Sequence, residues 1–205
     1  MSPGATFERV YNELKRMLAE GELPPGTPLE PTLLGEQLAS SITPIRDALH
    51  RLTGERLVEA PNHNGFRVPL LTEAALRDLY DWNGQLLILA ARAMRPASGK
   101  SPGESASAAQ INISVPDLFV AIARTSGNAE HARAVEQLND RLAPIRKIEP
   151  QLLDDISEEQ ALLQGFLSKL DRSALAAALD RYHRRRVRAV SGLIAALMAS
   201  ASLSR

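Results

Sequence analysis

At 205 residues the chain can bury one large core or two small ones, and 44% hydrophobic with 23% charged residues is an ordinary globular balance. Cysteine is absent, which excludes disulfides and thiolate metal sites and fits a reducing compartment. Formal net charge is zero, which excludes a strongly basic nucleic-acid binder, and no leader-like or bilayer-spanning apolar run stands out, so a soluble, cytoplasmic protein with no membrane partner is expected.

Phe7, Val10, Tyr11, Leu14, Met17 and Leu18 recur at helical spacing and predict an amphipathic first helix, ended by Gly21. Pro24-Pro25-Gly26-Thr27-Pro28 predicts a rigid turn. Leu33 to Leu38 predicts a second helix and Ser41 to about Thr53 a third, with Ala39-Ser40 leaving room only for a tight turn. Ser41 is a good N-cap, and Pro44 falls in the first turn, where its missing N–H costs nothing. Two short helices so joined, the second opening with small polar residues and carrying Arg46, give the outline of a helix-turn-helix. Leu57-Val58-Glu59-Ala60 and Gly65-Phe66-Arg67-Val68 follow as strand-like runs around the turn Pro61-Asn62-His63-Asn64, which predicts a wing.

Beyond residue 70 the pattern is helical. Thr72 is expected to cap a helix through Leu76, Leu79, Tyr80, Leu87 and Met94. Pro96 to Pro116, rich in Ser, Gly, Ala and Pro, predicts a flexible connection. Leu118, Phe119 and Ile122 mark a helix ending near Gly127-Asn128, and Val135, Leu138, Leu142 and Ile145 mark another, stopped by Pro150. Leu163, Phe166, Leu167 and Leu170 mark a further helix, and Ser173 is expected to cap a long last one through Leu175, Leu179, Val190, Ile194 and Leu197. The fold class is therefore mainly α: a winged helix-turn-helix over 1–70, followed by an antiparallel all-helical bundle over 71–205.

Arg46 is the candidate base- or phosphate-reading cation, against the alternative of a surface Arg paired with Asp47 or Glu36. Ser41 and Thr43 are candidates to donate to phosphates, and Arg51, about one turn beyond Arg46, to contact another. His63, Asn64 and Gly65 form a wing tip able to enter the minor groove, although Gly65 also suits a turn that needs positive φ. Residues 1–70 hold seven Lys/Arg and nine Asp/Glu, a local charge of −2, so affinity must come from locally clustered cations and backbone amides. The basic stretch Arg181, Arg184-Arg185-Arg186 and Arg188 is taken as a solvated face or an inter-subunit one.

The chain resembles the GntR family of bacterial transcription regulators. The resemblance rests on Leu23-Pro24-Pro25-Gly26, Leu29-Glu30, Leu34, Gln37-Leu38, Ser41, Thr43-Pro44-Ile45-Arg46, Ala48-Leu49, Leu52, Leu57-Val58 and Gly65-Phe66-Arg67-Val68. The C-terminal half is similar to the FCD-type helical effector domain of the FadR-like branch at Leu79-Tyr80, Ser126-Gly127-Asn128 and Asp171. The resemblance implies a homodimer on a roughly palindromic double-stranded DNA operator, released by a small-molecule effector. It places Thr32 and Pro44 with Ser41, Thr43 and Arg46 on the DNA face.

Two departures from the family pattern shape the expectations. Arg usually stands where this chain has Thr32 and Ile42, so of three operator-reading cations only Arg46 is kept. The family's metal-binding Asp and His positions fall on Pro116, Val120, Gln160 and Tyr182 or His183, too few donors for a transition-metal site, and no metal or other cofactor is expected. The Arg that often meets a carboxylate effector is Asn83 here. Asn83, Gln160, Tyr182 and His183 are the expected effector-binding residues; packing between helices is the competing role for each, and Trp82 and Gln85 are weaker candidates.

The expected function is a DNA-binding transcription regulator, a repressor, modulated by a small metabolite. One alternative is a helical ligand-binding module that has lost sequence-specific DNA recognition, suggested by Thr32, Ile42 and the acidic balance. The other is a small helical enzyme, against which the sequence offers no nucleophile–base pair, paired-carboxylate signature or phosphate loop.

Overall fold

The structure is a computed structural model that describes residues 3–61, 65–95 and 113–203. The chain divides into two compact units, Met1–Glu73 with Asp140–Leu152 and Ser191–Arg205, and Ala74–Asn139 with Leu153–Val190.

In the first unit, helix α1 (Pro3–Glu20) is followed by strand β1 (Pro28–Leu29), helices α2 (Pro31–Gln37) and α3 (Ile42–Gly54), and strand β2 (Phe66–Arg67). The apolar stripe of α1 and the inner face of α3, Ile45, Ala48, Leu49 and Leu52, join Leu29, Leu34, Leu38, Leu57, Val58 and Val68 in one core. That is what a 3.6-residue period does when each helix has one apolar side. Glu59 and Arg67 exchange backbone hydrogen bonds at 2.9 Å as the antiparallel wing. β1 pairs with β2 in the register Pro28↔Arg67 and Leu29↔Phe66, so the segment expected as only a turn supplies one of the two short strands, with Glu59 added as an isolated bridge. Proline is acceptable there because a two-residue strand asks little of the missing donor.

The helix ends depart furthest from the sequence expectation. α1, α2 and α3 all close in paired backbone bonds of the Schellman type. After α2, Ser40 N donates to Gly35 O at 2.9 Å and Ala39 N to Glu36 O at 3.3 Å, with Ala39 in the left-handed region at φ +47. After α3, Leu57 N donates to Leu52 O and Arg56 N to Thr53 O, both at 3.0 Å, with Arg56 at φ +60. Gly21 does the same for α1 at φ +77. The turn between α2 and α3 is closed so tightly that a Cβ on Gly35 would lie 2.9 Å from Ser40 O, which only glycine allows. Ser41 holds the N-cap position of α3 with extended backbone, but its side chain makes no capping hydrogen bond.

The second unit comprises most of α4 (Glu73–Arg92), α5 (Val115–Arg124), the start of α6 (Ala129–Ile148), α7 (Ile156–Ser168) and α8 (Arg172–Leu203) as far as Val190. Leu76, Tyr80, Leu87, Phe119, Ile122, Val135, Leu163, Leu175 and Leu179 are buried within it. The flexible connection expected over Pro96 to Pro116 lies mostly outside the described residues; its end, Val115-Pro116, forms the first turn of α5, where Asp117 N donates to the Ser114 hydroxyl at 3.3 Å. Two assignments change. The cap of α8 is Asp171, whose Oδ1 accepts from Ala174 N at 3.0 Å, and Ser173 is already inside the helix. Leu170 lies past α7 at φ +54, half exposed, because it closes another Schellman turn with Asp171 N on Phe166 O at 3.0 Å.

The later parts of α6 and α8 belong to the first unit. There Lys15 on α1 pairs with Asp140 at 2.6 Å, Lys147 pairs with Glu20, and the Ser191 hydroxyl donates to Glu73 at 2.8 Å. Burial pulls the Lys15 ammonium down, but the Asp140 hydrogen bond and charge outweigh it and leave the group raised. Among the described residues no helix is long and apolar enough to cross a membrane.

Candidate functional site

The opening of α3 presents a mixed face. Ser41, Ile42, Thr43, Arg46 and Asp47 are exposed, while Ile45, Ala48 and Leu49 are buried beneath them. This follows from helical spacing: residues 42, 43, 46 and 47 share one side, and 45, 48, 49 and 52 the other. Pro44 is half-buried in the first turn, and Thr32 is exposed at the start of α2.

Most cations of residues 1–70 already have partners. Arg16 pairs with Glu13 and Glu22, Lys15 with Asp140, and Arg67 with Glu59. Arg9 reaches from α1 to the Ala39 carbonyl at 3.4 Å. Arg46 has no ion-pair or hydrogen-bond partner among the described residues, so neither Asp47 nor Glu36 neutralises it. A charged side chain left exposed beside short polar ones, at the N-terminal turn of the second helix of a helix-turn-helix, has the placement that base or phosphate contact requires.

Arg51 is placed differently. Its guanidinium lies 3.9 Å from the Tyr11 ring centroid and 5.8 Å from that of Phe7, and it pairs with Glu8 and Glu55 at 3.4 Å each. Tyr11 donates to the same Glu55 carboxylate at 2.8 Å, and burial together with that bond pushes its hydroxyl pKa up. These contacts latch α1 to α3. Arg51→Ala is therefore expected to lower thermal stability more than Arg46→Ala does, and melting curves of both variants check this; equal midpoints would mean that the latch contributes nothing.

Gly65 is exposed with φ +85, the conformation its turn reading anticipated, while His63 and Asn64 lie outside the described residues. Arg9 was not singled out from the sequence, because on a helical wheel it is one more surface cation; only the fold brings it to the turn between α2 and α3.

In the second unit, three of the four expected effector residues lie close together. Asn83 on α4 is fully buried, and neither its amide nitrogen nor its oxygen has a hydrogen-bond partner among the described residues. α4 passes α8 so closely at Gly84 that a Cβ there would sit 3.0 Å from His183 Cγ. His183 Nδ1 lies 2.7 Å from Leu179 O; a carbonyl only accepts, so Nδ1 carries the proton. Phe119 stacks on His183 at 5.8 Å and meets Tyr182 edge-on at 5.2 Å. Gln160 is turned elsewhere, its amide donating to the Ile113 carbonyl. Among the described residues no group of three or more His, Cys, Asp or Glu side chains is placed to share a metal ion.

The basic stretch on α8 also departs from expectation. Arg184 is exposed and pairs with Asp180 at 2.7 Å, as a solvated face would. Arg186 has no exposed surface: it donates to Glu159 at 2.7 Å and to Tyr182 O at 3.2 Å, with its guanidinium 3.2 Å above the Tyr182 ring centroid. The helical period carries 186 to the side of 182 and 183, and inward.

These features define a winged helix-turn-helix joined to an all-helical C-terminal portion. Residues 6–68 match the family described as bacterial regulatory proteins, gntR family. The HTH-type transcriptional repressor GlaR of Escherichia coli (strain K12) is 37% identical over 71 residues, covering 35% of this chain and 32% of GlaR. The HTH-type transcriptional regulator YdhC of Bacillus subtilis (strain 168) is 32% identical over 78 residues, 38% of this chain and 35% of YdhC. The alignments thus span about a third of those relatives' length. The solved E. coli McbR/YncC has a TM-score of 0.65 at 21% identity, over 91% of this chain and 97% of its own. A GntR transcriptional regulator from Rhodococcus sp. RHA1 reaches 0.71 at 17% identity, over 92% of this chain and 98% of its own. At those identities the likeness is one of fold.

Proposed function

We propose that the chain is a transcription regulator, a repressor, that binds a double-stranded operator as a homodimer through α3 and the wing and is modulated by a small molecule held among the C-terminal helices. The proposal includes the division at residue 70 into a reading head and an effector and dimerisation module of the FCD type, in the FadR-like branch. The observation that carries it is Arg46, exposed and unneutralised on the second helix of a GntR-type helix-turn-helix whose other cations are largely paired within the fold.

The effector reading rests on the buried amide of Asn83 beside Gly84, Tyr182 and His183. A buried amide satisfied on neither side is costly unless a ligand or water meets it. α8 contributes residues to both compact units, so a change at Tyr182 and His183 is felt along one continuous helix. Half-sites repeat about every 34–36 Å along one face of DNA, so a modest shift of two heads prevents both from engaging. A coupling of about 1–3 kcal/mol gives a 5- to 150-fold response.

The test is selection from a random duplex library with the purified chain, with affinities of the winners measured at several salt concentrations. Enrichment of a palindrome, and a log–log salt slope of several units, is the expected result. Failure to enrich any sequence, with weak and fully salt-sensitive binding, would overturn the regulator and favour a helical ligand-binding module without sequence-specific recognition.

A further inference from the structure

Resting on that reading of residues 1–70 as a DNA-binding head, we propose that Ile42 is a base-reading residue whose side chain packs on the 5-methyl group of a thymine in the major groove, next to the contact made by Arg46.

Ile42 is the first residue of α3 and 46% exposed, whereas Ile45, Ala48, Leu49 and Leu52 of the same helix are buried. It therefore adds little to the core. Its neighbours Ser41 and Thr43 are short, exposed and unable to cover it, and Arg46 stands one turn on along the same face. A branched alkyl group neither donates nor accepts, so on the floor of the major groove its only complement is the apolar feature displayed there, the thymine methyl.

Two further observations agree. Residues 1–70 carry two more acidic than basic side chains, so phosphate attraction alone gives a weak hold and an apolar, salt-independent contact has work to do. The spacing then fixes the register. Cβ atoms four residues apart on a helix lie about 5–6 Å apart, while base pairs rise about 3.4 Å, so the thymine lies within about two steps of the base or phosphate held by Arg46. A long cation at position 42 would have competed with Arg46 for guanine; an isoleucine divides the labour, one residue for charge and one for shape.

The experiment uses the full chain and the operator selected from the random library. Each thymine within two steps of the base pair most sensitive to Arg46→Ala is replaced, one at a time, by deoxyuridine, which removes only the methyl. The expected result is a loss of about fourfold in affinity at one such thymine per half-site, the factor that about 0.8 kcal/mol per buried methyl converts to. Ile42→Ala, at a position outside the core, is expected to bind thymine and uracil operators equally, and its thermal midpoint shows that it folds. Equal binding of both operators by the unmodified chain would overturn the role of Ile42 and leave the regulator standing. A library that enriches nothing would overturn the regulator, and this inference with it.

Discussion

Arg46→Ala is expected to lower affinity for the selected operator by about 5- to 150-fold, the range that about 1–3 kcal/mol for a specific side-chain–base pair implies. Folding stability is expected to change by less than about 0.5 kcal/mol, because Arg46 is exposed and bonded to nothing among the described residues. The separation of the two effects gives the measurement its force: most substitutions that abolish DNA binding do so by unfolding the head. The form of the loss identifies the partner. A base contact gives a loss that varies with operator sequence and leaves the salt slope unchanged, whereas a phosphate contact lowers affinity for all duplexes and reduces the slope by about one. Lys15, Arg16, Arg51 and Arg67 are committed to ion pairs, and Arg9, at the turn before α3, is held by the Ala39 carbonyl at 3.4 Å. An affinity unchanged by the substitution would remove α3 as the reading helix in its expected orientation.

The sequence disclosed what depends on periodicity and little of what depends on closure. α1, α3 and the helices of the second unit are written in apolar residues spaced three and four apart, and the structure forms them close to the predicted bounds. Their ends are another matter. Ala39, Arg56 and Leu170 take left-handed backbone to close α2, α3 and α7, and none of them is a glycine; Gly21 after α1 and Gly127 after α5 did give that sign. A strained turn of this kind is imposed by packing on both sides of it, such as Leu38 and Leu57 in the core, and has no local signature.

The candidate sites divide along the same line. Arg46 was legible because a free surface cation needs only the right position in a local motif. Arg51 has an equally suggestive position, yet Tyr11 and Glu8 on α1, far earlier in the chain, claim it. Among the C-terminal helices, Tyr182 and His183 are in ring contact at 5.0 Å and Gly84, next to Asn83, meets His183, but Gln160 turns to a backbone carbonyl that no spacing rule indicates. Long-range pairing is the information that a single sequence carries least openly.

The buried pair of Arg186 and Glu159 gives the largest expected effect on stability. Arg186 is fully buried, with Glu159 on α7 at 2.7 Å and the Tyr182 ring beneath it, while the Glu159 side chain keeps 18% exposure and has Arg185 at 3.9 Å as a second cation. The two ends of the pair are therefore unequal. Glu159→Ala removes the carboxylate that pairs with this enclosed guanidinium at 2.7 Å, and a cost of about 3–5 kcal/mol is expected. Arg186→Met removes the enclosed charge, fills much of the same volume, and leaves a carboxylate that still reaches water and Arg185; its expected cost is less than half as large. Chemical denaturation of the two variants checks the order. Because Tyr182 O also accepts from Arg186, and Tyr182 packs against Phe119 and His183, Glu159→Gln is expected to disturb the proposed effector pocket without emptying it. If Glu159→Ala costs under about 1 kcal/mol, water already reaches the guanidinium and the asymmetry disappears. If the order is reversed, the carboxylate is the enclosed partner, and the helical unit is stabilised from α7 instead of α8.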